Sequence, residues 1–261
     1  MSMRVSDWER ENYEKYGGKF YKADHITVVP SLEAKDFSSK LARIRMDLTT
    51  PYMRGTTVLD LCCGTGEYLM FFAPMFKEGK GLDFSAQFIE KANQTKQATG
   101  IPNVEFSWGN ARQMPFDDQY FDLVYSFASL YHIPRVDQVI SEIGRVLKPN
   151  GKCVVDLGNL YSLNTIVCNA YPHWAHPYHI SVPAMKLFFR GAGLTILQHR
   201  AFQFLPLWGA DRPKWLKPLL WNGWSQWFTK EFRGKMLDEW ISNLPGLNLL
   251  AFRHVFVCEK R

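Results

Sequence analysis

The chain has 261 residues, 46% hydrophobic and 21% charged, with a formal net charge of +6. Those values suit a folded globular protein of one elaborated domain, and no internal repeat or low-complexity tract is visible along the chain. No apolar run reaches the roughly 18–20 residues of a membrane span, and the N-terminal MSMRVSDWERENYEKY has no signal-like apolar core, so a cytoplasmic protein is expected.

The first 54 residues read as a helical cap: Trp8 to Tyr16, a break at Gly17 and Gly18, then a longer helix after Ser31 that ends near Pro51 or Gly55. From Thr57 the pattern alternates. Strand-like TTVLDLC precedes a helix from Glu67 to Phe76. KGLDF follows, then a helix with Ser85 as N-cap and Ile89 and Ala92 on its inner face. NVEFSWG is the next strand, RQMPFDDQ is turn-rich, and FDLVYSF is a fourth strand. A helix from Arg135 to Leu147 is expected to stop at LKPNG, which turns the chain into KCVVDLG. Strands separated by helices of this length argue for a mostly parallel sheet covered on both faces.

After Asn159 the rhythm changes. Residues 160–180 read as an aromatic loop, VPAMKLFFRGAG as a helix, LTILQHRAFQF as a strand, and about 214–244 as a helical insertion. LLAFRHVFVCEK closes the sheet as an antiparallel strand. The core therefore spans about 55–204 and 247–261, with 1–54 as a cap and 205–246 as an insertion. The five cysteines (Cys62, Cys63, Cys153, Cys168 and Cys258) show no zinc spacing and are expected to be free thiols.

The stretch VLDLCCGTGEY carries the chemistry. A strand, a glycine turn and a helix place a ligand at the carboxyl end of a sheet, where glycine lets the backbone come close. An anion would be repelled by Asp60 and Glu67, so a cationic ligand bearing an amino group suits the turn better. VLDLCCGTG resembles the first motif of the class I S-adenosylmethionine-dependent methyltransferases. Asp60, Gly64 and Gly66 match that motif, and Cys62 stands where its first glycine is usual.

Asp83 ends the second strand in GLDFS, where a carboxylate can accept both ribose hydroxyls, and Phe84 beside it can pack on adenine. GNA follows the third strand at the place of the family's adenine contact; Asn110 can accept through its amide oxygen, with Ala111 beside it. MPFDDQYFDLVYSFASLYHI and EIGRVLKPNGKCVV resemble the type 11, ubiquinone-biosynthesis-like branch, over about residues 55–158. The resemblance implies a Rossmann-like seven-stranded α/β fold, S-adenosylmethionine as cofactor, a small-molecule acceptor, and Ser126 on the cofactor side.

Methyl transfer from a sulfonium needs alignment more than acid–base groups. His132 in SLYHI is the candidate for base or acceptor contact, against a structural histidine, and Tyr131 can line the same pocket. YPHWAHPYHIS holds His173, His176 and His179, but Pro172 and Pro177 interrupt any aligning helix, so no metal is expected. His179 sits in a segment the family places on the acceptor side.

From Arg200 to Arg261 ten Lys/Arg oppose five Asp/Glu, and six of the nine tryptophans fall there. In RPKWLKPLLWNGWSQWFTKEF and KMLDEWISNL the apolar residues recur at helical intervals, Met236, Leu237, Trp240, Ile241 and Leu244 on one face of the second. The expected role is a lid, formed by the N-terminal helices to about Arg54, the 160–180 loop and the 205–245 insertion together, whose aromatics, Tyr16, Tyr171, Trp174 and Trp208 among them, line an apolar or ring-sized pocket. The alternatives are a basic amphipathic surface on a membrane or lipid-linked acceptor, and a non-catalytic S-adenosylmethionine-binding protein. Nucleic acid ranks last.

Overall fold

The computed structural model describes residues 37–169, 178–205 and 222–261. The expected Trp8–Tyr16 helix, Tyr16, Tyr171, His173, Trp174, His176 and Trp208 lie outside them.

Seven strands form one sheet: β1 Thr57–Leu61, β2 Glu78–Asp83, β3 Val104–Trp108, β4 Phe121–Ser126, β5 Leu147–Gly158, β6 Leu194–Phe202 and, last in the chain, β9 Arg253–Lys260. Their order is β3-β2-β1-β4-β5-β9-β6. β9 runs antiparallel to both β5 and β6, while the other pairings are parallel. The order reverses between β1 and β4, and the crevice at such a switch point is where an open α/β sheet receives its ligand.

Helices cover both faces because the strands are apolar on both. On one face α4 (Val136–Val146) buries Val136, Val139, Ile140, Ile143 and Val146, and α6 (Val182–Gly191) buries Val182, Met185 and Phe189. On the other lie α1 (Phe37–Thr49), α2 (Glu67–Phe72) and α3 (Ala86–Thr99). The Ser85 hydroxyl accepts from the Phe88 N–H and caps α3 as its sequence predicts.

Four expectations need correction. The helix after the glycine turn ends at Phe72, four residues short of Phe76. LKPNG lies inside β5 rather than before it, with Asn150 at φ 63° and a register jump from Phe121↔Leu147 to Leu123↔Lys152. That is a bulge, which re-aims a strand without ending it.

The insertion is broken by a hairpin. β7 (Glu231–Phe232) and β8 (Lys235–Met236) join through Arg233 and Gly234, both at positive φ, the backbone a two-residue hairpin turn requires. It separates α7 (Asn222–Phe228) from α8 (Leu237–Ser242).

The orientation of α8 is also inverted. Asp238, Glu239 and Ser242 are buried, whereas Trp240 and Leu244 are exposed and only Met236 of the expected apolar stripe is buried. The inward groups serve the outer strand of the sheet. Asp238 accepts from the N–H groups of Gln203 (2.6 Å) and Phe204 (3.0 Å), and Asn243 exchanges two hydrogen bonds with Ala201. A strand edge presents unpaired backbone groups, and here polar side chains satisfy them.

β6 and β9 also share a histidine pair. His199 Nε2 and His254 Nδ1 are 2.7 Å apart, and His199 stacks on Phe256 with ring centroids 4.3 Å apart. Burial, with Lys186 nearby, pushes His199 down to about 4; burial and the neighbouring His199 push His254 to about 3. The unfolded chain therefore binds more protons than the folded one between pH 6.5 and 4, so this contribution is present above pH 6.5 and lost as pH falls. Urea unfolding at pH 7 and pH 5 should show a loss on the order of 1–2 kcal/mol per histidine. His199→Phe should flatten that slope, and an unchanged slope would refute the assignment.

Candidate active site

The loops after β1 and β4 meet at the switch point, where the rings of Tyr68 and Phe127 touch edge-on at 5.2 Å. Three aspartates, Asp60 on β1, Asp83 on β2 and Asp156 on β5, lie near the carboxyl ends of their strands, the edge of the sheet that borders this crevice. Each has a different environment and so a different chemistry.

The glycine turn is tightly specified. The N–H groups of Cys62 and Cys63 both point at the Leu82 carbonyl, at 2.7 and 3.1 Å. Gly66 is the N-cap of α2 at φ 81°, and a Cβ there would lie 2.4 Å from the Phe106 ring. Gly64, at φ 55°, has nothing within 4 Å of where its Cβ would stand, so a ligand has open access to the backbone. Cys62 also adopts φ 62°. A left-handed φ costs an L-residue roughly 1–2 kcal/mol, so the cysteine keeps the backbone shape that glycine takes freely.

Asp83 closes the turn. Its Oδ2 accepts from the Gly64 N–H and its Oδ1 from the Ser85 N–H, each at 2.9 Å. Burial raises its pKa against these bonds. Asp60 differs: it is buried, and its Oδ2 has no hydrogen-bond partner. Burial pushes it up to about 8, opposed by the Tyr125 hydroxyl and reinforced by Asp83 and Glu67. A buried carboxyl with one unpartnered oxygen, on the strand that leads into an open glycine turn, is the arrangement a cationic amino group would satisfy. The residues present thus fit the amino-acid end of S-adenosylmethionine.

Ser126 is fully buried beside the Cys62 thiol. The Gly109 N–H donates to the Asp83 carbonyl, which sets Asn110 and the buried Ala111 beside the β2 end. The Asn110 amide oxygen accepts from the Arg112 N–H at 2.9 Å. One lone pair of the expected adenine contact is therefore already used. The Phe84 carbonyl accepts from the Trp108 indole at 2.9 Å.

A second cluster lies at the carboxyl end of β5. Asp156 Oδ1 accepts from the Ala128 N–H at 2.6 Å, and its Oδ2 pairs with Arg45 of α1 and with Arg253 at 3.3 Å. The Arg253 guanidinium lies over the rings of Tyr131 (4.8 Å) and Phe252 (5.2 Å). His179 packs on Phe252 (4.9 Å) and Tyr131 (6.2 Å), and Tyr131 on His132 (4.4 Å). The structure thus brings Tyr131, His132 and His179 together.

Both histidines are held neutral: burial and Arg253 push His132 to about 4, and burial, His132 and Arg253 do the same to His179. A neutral imidazole hydrogen-bonds well, but one whose proton affinity is suppressed this far is a poor resting base. Arg45, Asp156, Arg253 and Tyr68 were not singled out from sequence. For Asp156 the signal was present, since VVDLG ends in an acid as VLDL and GLD do. No group of three or more metal-ligating side chains occurs among the described residues.

With this geometry established, comparison with known proteins places the chain. The family described as "Methyltransferase domain" matches residues 53–221. The demethylmenaquinone methyltransferase of Bacillus cytotoxicus is 30% identical over 176 residues, which span 58% of this chain and 74% of that protein. Its counterpart in Shouchella clausii is 33% identical over 154 residues, 58% of this chain and 61% of that one. Among solved structures the cyclase SpnF aligns with a TM-score of 0.64 at 17% identity, covering 97% of this chain and 96% of that chain. A likeness at that identity shows the fold alone, as the different chemistry of a cyclase illustrates.

Substitutions in the turn should separate strain from shape. Cys62→Gly is expected to leave stability within about 1 kcal/mol or raise it, because relief of the left-handed strain offsets the added freedom of the unfolded chain. Gly66→Ala should cost several times more, because Phe106 has to move. Denaturant titration of both variants decides; a larger loss for Cys62→Gly would contradict this account.

Proposed function

The chain belongs to the methyltransferase-domain family, and on that premise we propose how its site works as an S-adenosylmethionine-dependent methyltransferase. Asp83 accepts the ribose hydroxyls, Asp60 receives the amino group of the methionine end across the Gly64–Gly66 turn, and Phe84, Asn110, Ala111 and Ser126 surround the remainder. Cys62 shapes the turn. The observation that carries this reading is the unpartnered Asp60 Oδ2 beside the open Gly64 backbone. When bound, the cofactor supplies an activated methyl group for in-line displacement.

The chain's own residues then align and enclose the acceptor. The described parts of 55–204 and 247–261 act as the core, while 37–54 and 222–246 close over the carboxyl end of the sheet. Lys40 of α1 supports this, since it bonds the Thr229 carbonyl (2.8 Å) and Glu231 (2.7 Å) of the insertion. Tyr131, His132 and His179 contact a small, partly apolar acceptor; Trp208, the fourth expected contact, lies outside the described residues. His132 serves as a hydrogen-bonding contact rather than a proton store, because burial keeps it neutral.

The insertion also offers a membrane-facing surface. Trp227, Phe232, Trp240 and Leu244 are exposed, with Lys230 over Trp227 (4.1 Å), Arg233 over Phe232 (5.3 Å) and Lys235 over Trp240 (5.2 Å). Aromatics flanked by cations suit the headgroup region of an anionic bilayer. No helix among the described residues is long and apolar enough to cross a membrane, so such contact would be peripheral.

Titration with S-adenosylhomocysteine tests the first reading. Micromolar binding is expected, lost in Asp83→Ala; no heat at millimolar ligand would overturn it. Because Asp60 rests near pKa 8, binding an ammonium at pH 7 should expel close to one proton, seen as enthalpies that vary with the buffer's ionisation heat. Asp60→Asn should remove that dependence.

For the membrane surface, sedimentation with phosphatidylglycerol vesicles should pull down the native chain at low salt. Trp227→Ala with Trp240→Ala should release it. Equal recovery with neutral and anionic vesicles would contradict a role for the lysines.

A further inference from the structure

The charges at the carboxyl end of β5 do not balance. Two guanidiniums, Arg45 and Arg253, share one carboxylate, Asp156; the three side chains are 6%, 16% and 1% exposed respectively. His132 and His179 are neutral, so they add nothing. The Tyr131 and Phe252 faces under Arg253 attract a cation but carry no net charge. Towards the donor side, Tyr68 lies in the field of Arg45, Asp60, Asp156 and Glu67. Asp60 is spoken for by the amino group assigned to it above. Glu67 is half-buried on α2 and bonded to the Thr65 hydroxyl on the donor side. One positive charge therefore remains beside Asp156, in a place where water is largely excluded.

Two buried polar atoms there also lack partners, Arg45 Nε and His179 Nε2. The first can only donate. The second is settled by its neighbour. The Thr165 hydroxyl has one hydrogen, and its 2.6 Å contact to the Asn159 carbonyl uses it. Its oxygen therefore accepts from His179 Nδ1–H, also at 2.6 Å, which leaves Nε2 as a bare acceptor. The cluster asks for an anion on its guanidinium side and for a donated hydrogen at His179.

We propose that the acceptor is a hydroxy acid, its carboxylate drawn to Arg45 and Arg253 and its hydroxyl donating to His179 Nε2. The inference rests on the methyltransferase reading and narrows its substrate class. It follows electrostatically from that reading too. The donor's sulfonium is matched by its own carboxylate and its ammonium by Asp60, so the charge at Arg45 and Arg253 is left for the acceptor, and an acidic acceptor offsets it where a neutral one does not. Either an aromatic ring or a sugar ring can present this pair of groups.

Calorimetric titration of the S-adenosylhomocysteine-loaded chain separates the two scaffolds. The probes are 4-hydroxybenzoate against 4-hydroxybenzamide, and glucuronate against glucose. In at least one pair the acid should bind about tenfold or more tighter than its neutral partner, and less so as salt rises. Arg253→Gln should erase the preference, and His179→Ala should weaken 4-hydroxybenzoate but not benzoate. Arg45→Gln serves as a second charge variant; should it unfold because α1 loses its anchor, the native chain's discrimination still decides.

Acid and neutral partners within about twofold of each other in both pairs, or no acid bound at roughly 10 mM, would overturn the proposal. If S-adenosylhomocysteine binds and the acids are not preferred, only this inference falls. If S-adenosylhomocysteine does not bind, the donor assignment falls, and the same acids titrated into the free chain still test the pocket.

Discussion

Asp156 is the group on which the carboxyl end of β5 and the segments around it depend. One carboxylate at the end of β5 fixes the loop after β4 through the Ala128 N–H, holds α1 through Arg45, and ties the start of β9 through Arg253. Three segments distant in sequence meet at two oxygens. Removing one member of a buried charge set typically costs about 3–5 kcal/mol, because the survivors keep their desolvation penalty without its compensation. Apolar packing would hold these segments as firmly. It would not set their positions as narrowly, because a hydrogen-bonded carboxylate has few allowed geometries.

The three strand-end aspartates show how one residue type takes three roles through its surroundings. Asp83 has two backbone N–H donors and shapes the glycine turn. Asp60 has burial and like charge around it, which push its pKa up to about 8. Asp156 has two guanidiniums. All three lie at carboxyl ends of parallel strands, where the fold leaves loops free to vary. The sheet supplies the positions, and the chemistry comes from what each loop lays beside the carboxylate.

What was legible in the sequence was what local pattern determines. The strands, the Ser85 cap, the helix before LKPNG and the Asp60–Gly66 turn follow from periodicity and turn chemistry, and the structure contains each. Arg45 and Arg253 were invisible because their importance comes from meeting Asp156, 111 and 97 residues away in the chain. The Asn150 bulge was misread because proline and glycine after a helix signal a stop equally well when a strand has already begun. Asn110 looked like a free acceptor; only the fold shows its oxygen bonded to the next turn. The left-handed Cys62 shows that the family's usual glycine marks a backbone shape, which another residue can hold at a cost.

The orientation of α8 carries the same point further. Periodicity alone says which residues share a face, not which face turns inward; burial normally decides for the apolar side. Here the outer edge of β6 needed donors and acceptors for Ala201, Gln203 and Phe204, and Asp238 and Asn243 provide them. Glu239 is drawn in with them by Arg200. Once three polar residues of the helix face the sheet, Trp240 and Leu244 have only the outside left. Hydrogen bonding at the sheet edge thus selects the inward face, and the exposed aromatic surface beside Lys230, Arg233 and Lys235 follows from it. A lid whose tryptophans pointed inward would leave that edge unpaired, so protecting the sheet and presenting an apolar, basic outer face are one structural choice.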